Sequence, residues 1–276
     1  MLNGHPSISG QSLNTQNDGH ASGVVYFAES SGIANIEVEL RAFYESEDAL
    51  QRRAVCALRR SQGEFGIGIF TSPKHQGAWD NLALEITVWL PGPPSEVDVV
   101  FIPLLGTDLP NFHHVIGDLP THVFGLVELS STNAPIEVGC AEKTQIIMSN
   151  RYIRGKFDVS SSLELATTHE FISAEISAYN DNDCILTDVI FSTTNAYGLF
   201  STKFANFHKW ERIKRSFRVM AHSSNSLLEI RFTEQALDSI LDQDVRSTDG
   251  ISNVYLHPVY EGSFELLPTT TLPSCT

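Results

Sequence analysis

Ser131-Thr132-Asn133-Ala134-Pro135-Ile136-Glu137-Val138 is the stretch that decides the fold. It returns with drift as Met148-Ser149-Asn150-Arg151-Tyr152-Ile153 and as Thr167-Thr168-His169-Glu170-Phe171-Ile172. Further copies are Thr193-Thr194-Asn195-Ala196-Tyr197-Gly198, Ser223-Ser224-Asn225-Ser226-Leu227-Leu228 and Ser247-Thr248-Asp249-Gly250-Ile251-Ser252. The marker position, mostly Asn, advances in steps of 17, 19, 26, 30 and 24 residues. A polar point recurring at this spacing, with apolar alternation on both sides, is the pattern of a solenoid. Each unit reads as two short strands joined at the Asn. Phe124, Leu126 and Leu129 lead into the first corner, and Ile136 and Val138 leave it. Alternating positions of this kind make one buried and one exposed strand face.

A single unit cannot bury its apolar face. Stacked units bury it together, at a strand spacing of roughly 4.8 Å. Asn suits the corner because it tolerates left-handed backbone and its amide bonds nearby backbone groups. The unequal steps place insertions at 181–183 and around 205–216. The expectation is an all-β chain, with a C-terminal β-solenoid of degenerate repeats at 123–268. An N-terminal β region at 23–95 packs on the solenoid or is continuous with it.

The corner phrase resembles that of the fungal adhesin-like β-solenoid proteins of unassigned function, whose units repeat Thr-Ser-Asn-Ala-Pro-Ile. The resemblance runs from about residue 30 to residue 267. It takes in Glu47-Asp48-Ala49-Leu50, Gly66-Ile67-Gly68-Ile69-Phe70, Gly117-Asp118-Leu119 and His257-Pro258-Val259-Tyr260-Glu261-Gly262-Ser263-Phe264. It implies a fold and no established activity. Only the 131–138 copy keeps Asn-Ala-Pro-Ile intact.

The 276 residues carry 18 Lys and Arg against 33 Asp and Glu, a net charge of −15. That balance disfavours nucleic acid and anionic membrane surfaces, because neutralising phosphates needs basic clusters. Cys56, Cys140, Cys184 and Cys275 are widely spaced and form no Cys-x-x-Cys pair. They are expected to be free thiols in a reducing compartment. The Ser, Asn, Gly and His-rich start lacks the apolar core of a signal peptide. No apolar run is long enough for a membrane-spanning helix. The expected setting is cytoplasmic and soluble.

In chain order, residues 1–22 are expected to be a disordered tail, and residues 24–44 to form strands. Residues 45–53 are expected to hold a helical turn or two, and 55–58 and 65–70 to pair as a hairpin. Leu82 to Leu90 reads as a strand stopped by Pro91-Gly92-Pro93-Pro94. Residues 96–122 are expected to connect the two regions, with a strand at 97–105 and a long connection at 107–121. Glu234 to Leu241 shows helical spacing through Leu237, Ile240 and Leu241. Residues 269–276 read as a loose terminus.

Motifs that would carry chemistry are sparse. His113-His114 invites a metal, but adjacent strand residues point to opposite faces. Asp181-Asn182-Asp183 lacks the Gly and distal Glu of a calcium loop. Gly66-Ile67-Gly68 lies within a strand pattern and lacks a following helix start, so it is no phosphate loop. No metal and no cofactor are expected.

Lining up the corners gives a marker column of Asn133, Asn150, His169, Asn195, Asn225 and Asp249. Two residues on, the column reads Pro135, Tyr152, Phe171, Tyr197, Leu227 and Ile251. His169 and Glu170 are therefore the candidate acid/base pair. Tyr152, Arg151, Phe171 and Tyr197 are the candidate ligand-binding residues around them. The same columns, read structurally, are an aromatic ladder with His169 in place of a corner Asn. The leading functional reading is a non-enzymatic adhesin-like module meeting a protein, a glycan or a small apolar ligand. The alternative is a cofactor-independent isomerase or cyclase of a small apolar metabolite.

Overall fold

The computed structural model describes residues 9–11, 15–16, 21–51, 53–59, 64–71, 82–93, 99–139, 144–148, 150–179, 186–195, 198–205, 215–234, 239–263 and 265. They form an all-β protein with one five-residue helix. The N-terminal part holds β1 (Ser9–Gln11), β2 (Thr15–Gln16), β3 (Ala21–Ser30), β4 (Glu37–Tyr44), α1 (Glu47–Gln51), β5 (Arg53–Arg59), β6 (Glu64–Thr71) and β7 (Leu82–Pro91). Next come β8 (Val100–Ile102), β9 (Leu104–Asp108), β10 (Phe112–Ile116) and β11 (His122–Phe124). The repeat region holds β12 (Val127–Ser131), β13 (Ile136–Val138), β14 (Thr144–Met148), β15 (Ile153–Val159), β16 (Ser162–Thr167) and β17 (Ile172–Tyr179). It ends with β18 (Thr187–Thr193), β19 (Gly198–Ala205), β20 (Arg215–Ser223), β21 (Leu228–Glu234), β22 (Ser239–Ser247) and β23 (Ser252–Tyr255).

From β12 to β23 the strands alternate between two sheets, even numbers in one and odd in the other. Each strand pairs in parallel with the strand two places on. The register is that of the repeat. In the even sheet Thr107, Leu129, Ile146, Leu165, Phe191, Ala221 and Val245 stand in one column. In the odd sheet the matching column is His114, Ile136, Ile153, Ile172, Gly198 and Leu228. Ile136, Ile153 and Ile172 are fully buried. Both sheets contribute to a single hydrophobic cluster. Parallel strands buried this way need apolar inward positions in each unit, and the repeat supplies them.

The N-terminal strands extend these sheets. β10 pairs with β13 on one side and β3 on the other, and β3 pairs in turn with β7. Antiparallel β4 closes that end of the odd sheet against β7. β1 joins β9 to β6 in the even sheet. The expected hairpin is present, since β5 runs antiparallel to β6. The expected helical turn is α1.

Several expectations are corrected. Ser9–Gln11 and Thr15–Gln16, placed in a disordered tail, are strands that extend the even sheet. The strand expected at 97–105 breaks at Pro103 into β8 and β9, and β8 leaves the main sheets to pair with β11. Pro103 has no N–H to donate to a ladder. The long connection expected at 107–121 contains β10, so 104–116 is itself a strand–corner–strand unit. Ile240 and Leu241, expected on a helix, lie in strand β22. Neighbouring β20 offers its whole ladder from Arg215 to Ser223, and tertiary pairing overrides the local helical spacing. The insertion at 181–183 lies outside the described residues.

Candidate functional site

Four corners share one backbone bond. Asn150, Asn195, Asn225 and Asp249 donate their backbone N–H to the carbonyls of Thr132, Thr168, Thr194 and Ser224, one unit back, at 2.7–3.0 Å. Side chains repeat the connection. Asn133 Nδ2 donates to Asn111 Oδ1 at 2.8 Å, and Asn150 Nδ2 to Asn133 Oδ1 at 3.0 Å. Farther on, Asn225 Nδ2 donates to Asn195 Oδ1 at 2.7 Å. An amide carries both a donor and an acceptor, so a column of Asn side chains can bond without end. Two residues before the marker stands a buried hydroxyl: Ser131, Thr167, Thr193 or Ser223. Ser131 Oγ donates to the Ala134 carbonyl at 2.9 Å, and Thr167 Oγ1 to the Arg151 carbonyl at 3.1 Å. Ser131 and Thr167 thus satisfy backbone carbonyls that the turn exposes, while the Asn side chains bond to one another.

His169 occupies the marker position between Asn150 and Asn195 and is exposed; Glu170 beside it is half-buried. Arg151 is exposed, and its Nε donates to the Asn133 carbonyl at 3.2 Å, so it braces the preceding corner. Tyr152 and Phe171 come together, their rings nearly parallel at 5° with centroids 5.1 Å apart. Tyr152 Oη donates to Glu137 Oε1 at 2.8 Å. That bond, helped by burial, pushes the phenol pKa up. His113, two residues after Asn111, opens the same column, with Nε2 3.6 Å from Glu137 Oε1. Tyr197 lies outside the described residues. The faces of Tyr152 and Phe171 that meet are spent on each other, as in a stacked aromatic pair.

A second polar cluster escaped the sequence reading. His122 of β11 has no exposed side-chain surface. Its Nε2 faces the Pro91 carbonyl at 3.1 Å, and its Nδ1 lies 3.1 Å from Thr121 Oγ1 and 3.5 Å from Glu29 Oε2. Thr121 Oγ1 donates to Glu29 Oε2. Burial lowers the His122 pKa, while Glu29 and the Pro91 carbonyl pull the other way. Hydroxyl, imidazole and carboxylate are the parts of a nucleophilic triad, but the wiring differs. The hydroxyl proton goes to the carboxylate, and Nε2 must donate to a carbonyl, which leaves no lone pair there to activate a nucleophile. The cluster instead ties β3, β7 and β11 together. Glu29 and His122 are brought together by tertiary structure alone, so no local motif could have shown them.

Among the described residues, no group of three or more His, Cys, Asp or Glu side chains is placed to hold a metal ion. No helix among them is long and apolar enough to cross a membrane. No protein-family model, no curated protein and no solved structure matches the chain.

Proposed function

We infer that the chain is a β-solenoid acting as a non-enzymatic, adhesin-like binding module. Its units advance by one strand per sheet, and the two columns of inward residues stay in register across six or more strands. The observation that carries the functional half is the state of the corners. The acid/base candidate His169 stands exposed on an edge along which Asn150 bonds to Asn133 and Asn225 to Asn195. Tyr152 and Phe171 stack on one another and so support that edge. A base used for proton transfer needs a substrate held beside it and shielded from water, and an exposed corner offers neither.

The outer strand faces carry the function in this reading. On the odd sheet Glu137, Arg154 and Ser173 form one outward column, and Lys156 and Glu175 begin the next, ion-paired at 3.4 Å. Such rows repeat along the stack at roughly 4.8 Å, a spacing suited to a long polymer. With a net charge of −15 the module repels acidic polymers, so a neutral polysaccharide is the partner class. The test is retention of the folded protein on an array of insoluble polysaccharides, with His169→Asn run beside the parent. Equal retention of both proteins on a neutral polymer is expected. Failure on every polymer, with turnover of an apolar metabolite lost in His169→Asn, would replace the module with the enzyme.

A further inference from the structure

The unit 104–116 departs from its neighbours at two places in the core. Thr107 shares the column of Leu129, Ile146 and Leu165, and His114 shares that of Ile136, Ile153 and Ile172. Measured from the corner Asn, Thr107 and His114 hold the same two positions as Leu129 and Ile136 in the next unit. The later pairs at these positions are Ile146 with Ile153, Leu165 with Ile172, Phe191 with Gly198, Ala221 with Leu228, and, at the end of the stack, Val245 with the exposed Ser252. Both positions turn polar together in the unit 104–116.

Both side chains are buried, Thr107 to 5% exposure and His114 to 0%. Thr107 Oγ1 and both ring nitrogens of His114 lack a hydrogen-bond partner in the protein. These are three of the five such buried side-chain atoms among the described residues, the others being His113 Nε2 and Thr193 Oγ1. A buried hydroxyl and a buried imidazole without partners are each costly, and ordered water is the usual partner in such places.

We propose that the core of this unit binds an internal water molecule held between Thr107 Oγ1 and a ring nitrogen of His114. The two residues sit on opposite sheets at equal depth from the corner. Face-to-face sheets lie about 10 Å apart, and the inward threonine and histidine share that space without a direct hydrogen bond. Water fits the chemistry of both. It accepts from the threonine hydroxyl and donates to an imidazole lone pair, or the reverse. Burial is the main influence on the imidazole, and the Phe112 backbone acts against it. The neutral imidazole this arrangement requires agrees with the downward shift that burial imposes on His114.

The test joins structure to a double-mutant cycle. A crystal structure at near-atomic resolution is expected to show one ordered water within 2.7–3.2 Å of both side chains. Thr107→Val and His114→Leu each remove one partner, and together they restore the apolar pair of neighbouring units. The cycle should be non-additive. The double variant is expected to melt several degrees above the Thr107→Val variant and to show no density at the site. Additive effects, or a structure in which His114 bonds directly to Thr107 or to the Phe112 carbonyl with no water between, would overturn the proposal.

Discussion

The unit 104–116 and the unit 127–138 after it run side by side in the same register and bury different chemistry. The later unit fills its core with Val127, Leu129, Ile136 and Val138, all 4% exposed or less. The earlier one keeps Leu105, Phe112 and Ile116 but places Thr107 and His114 at the two central positions. Its corner is still of the repeat kind, because Asn111 accepts from Asn133. The corner and the ladder therefore set the path of the chain, and the core residues set how firmly each unit is held. The firm units are the interior ones. The polar unit lies where the repeats join the N-terminal strands, since β10 is the strand that pairs with β3.

The largest effect should come from the firm units. Ile153 is fully buried, and Ile153→Ala leaves a cavity between Ile136 and Ile172. A loss of about 2–5 kcal/mol is expected, read by urea unfolding, whereas the double variant Thr107→Val/His114→Leu, which restores the apolar pair, should raise stability. Equal losses from both variants would erase the distinction between the units.

Acid should act through the polar unit. Burial lowers the His114 pKa to about 4 from an ordinary 6.5. The unfolded chain therefore takes up a proton between pH 6.5 and 4 that the folded chain refuses, and stability falls as pH drops through that window. The full difference is worth about 3 kcal/mol at the acid end. Unfolding curves at pH 7, 5.5 and 4 should show the fall in the parent and a shallower one in His114→Leu, where His122, whose pKa burial also lowers, still contributes. An identical slope in the variant would assign the acid sensitivity elsewhere.

Gly155 tests the tightness of a firm unit from the opposite direction. A Cβ there would sit 2.6 Å from the Val138 carbonyl oxygen and 3.1 Å from the Phe157 ring. Gly155→Ala is expected to cost about 1–3 kcal/mol by overpacking, read as a lowered melting temperature with little change in circular dichroism. The smallest effect should come from the edge. Tyr152→Leu removes the stacking on Phe171 and the bond to Glu137, for a loss of about 1 kcal/mol. A loss as large as that of Ile153→Ala would show the aromatic pair to be core rather than edge.

Much of this was legible in the sequence, and for a definite reason. The corner phrase and the alternation around it are local, and they located the strands on either side of each corner. The all-β class follows from the same periodicity. What was missed depends on pairing. The corner at Asn111 follows Leu109-Pro110, which carries no hydroxyl phrase, so 107–121 read as a connection. The segment around 240 has helical spacing but meets an open strand, β20. Of the candidate site, the reading as an aromatic ladder placed Tyr152 beside Phe171, and the phrase placed His169 at a corner. The partners Glu137 and Asn133 come from neighbouring units and became visible only with the register fixed.

That register can be tested by a disulfide. Arg154 and Ser173 are outward neighbours on paired strands. In-register neighbours on adjacent strands have Cα atoms within the roughly 4.4–6.8 Å that a disulfide spans. The variant Arg154→Cys/Ser173→Cys should close a bond under mild oxidation, identified by mass mapping of the linked peptides. Arg154→Cys/Ser177→Cys, displaced by four residues along β17, should not. Closure of the first pair alone is the predicted result. Closure of the displaced pair, or of neither, would contradict the parallel in-register stack.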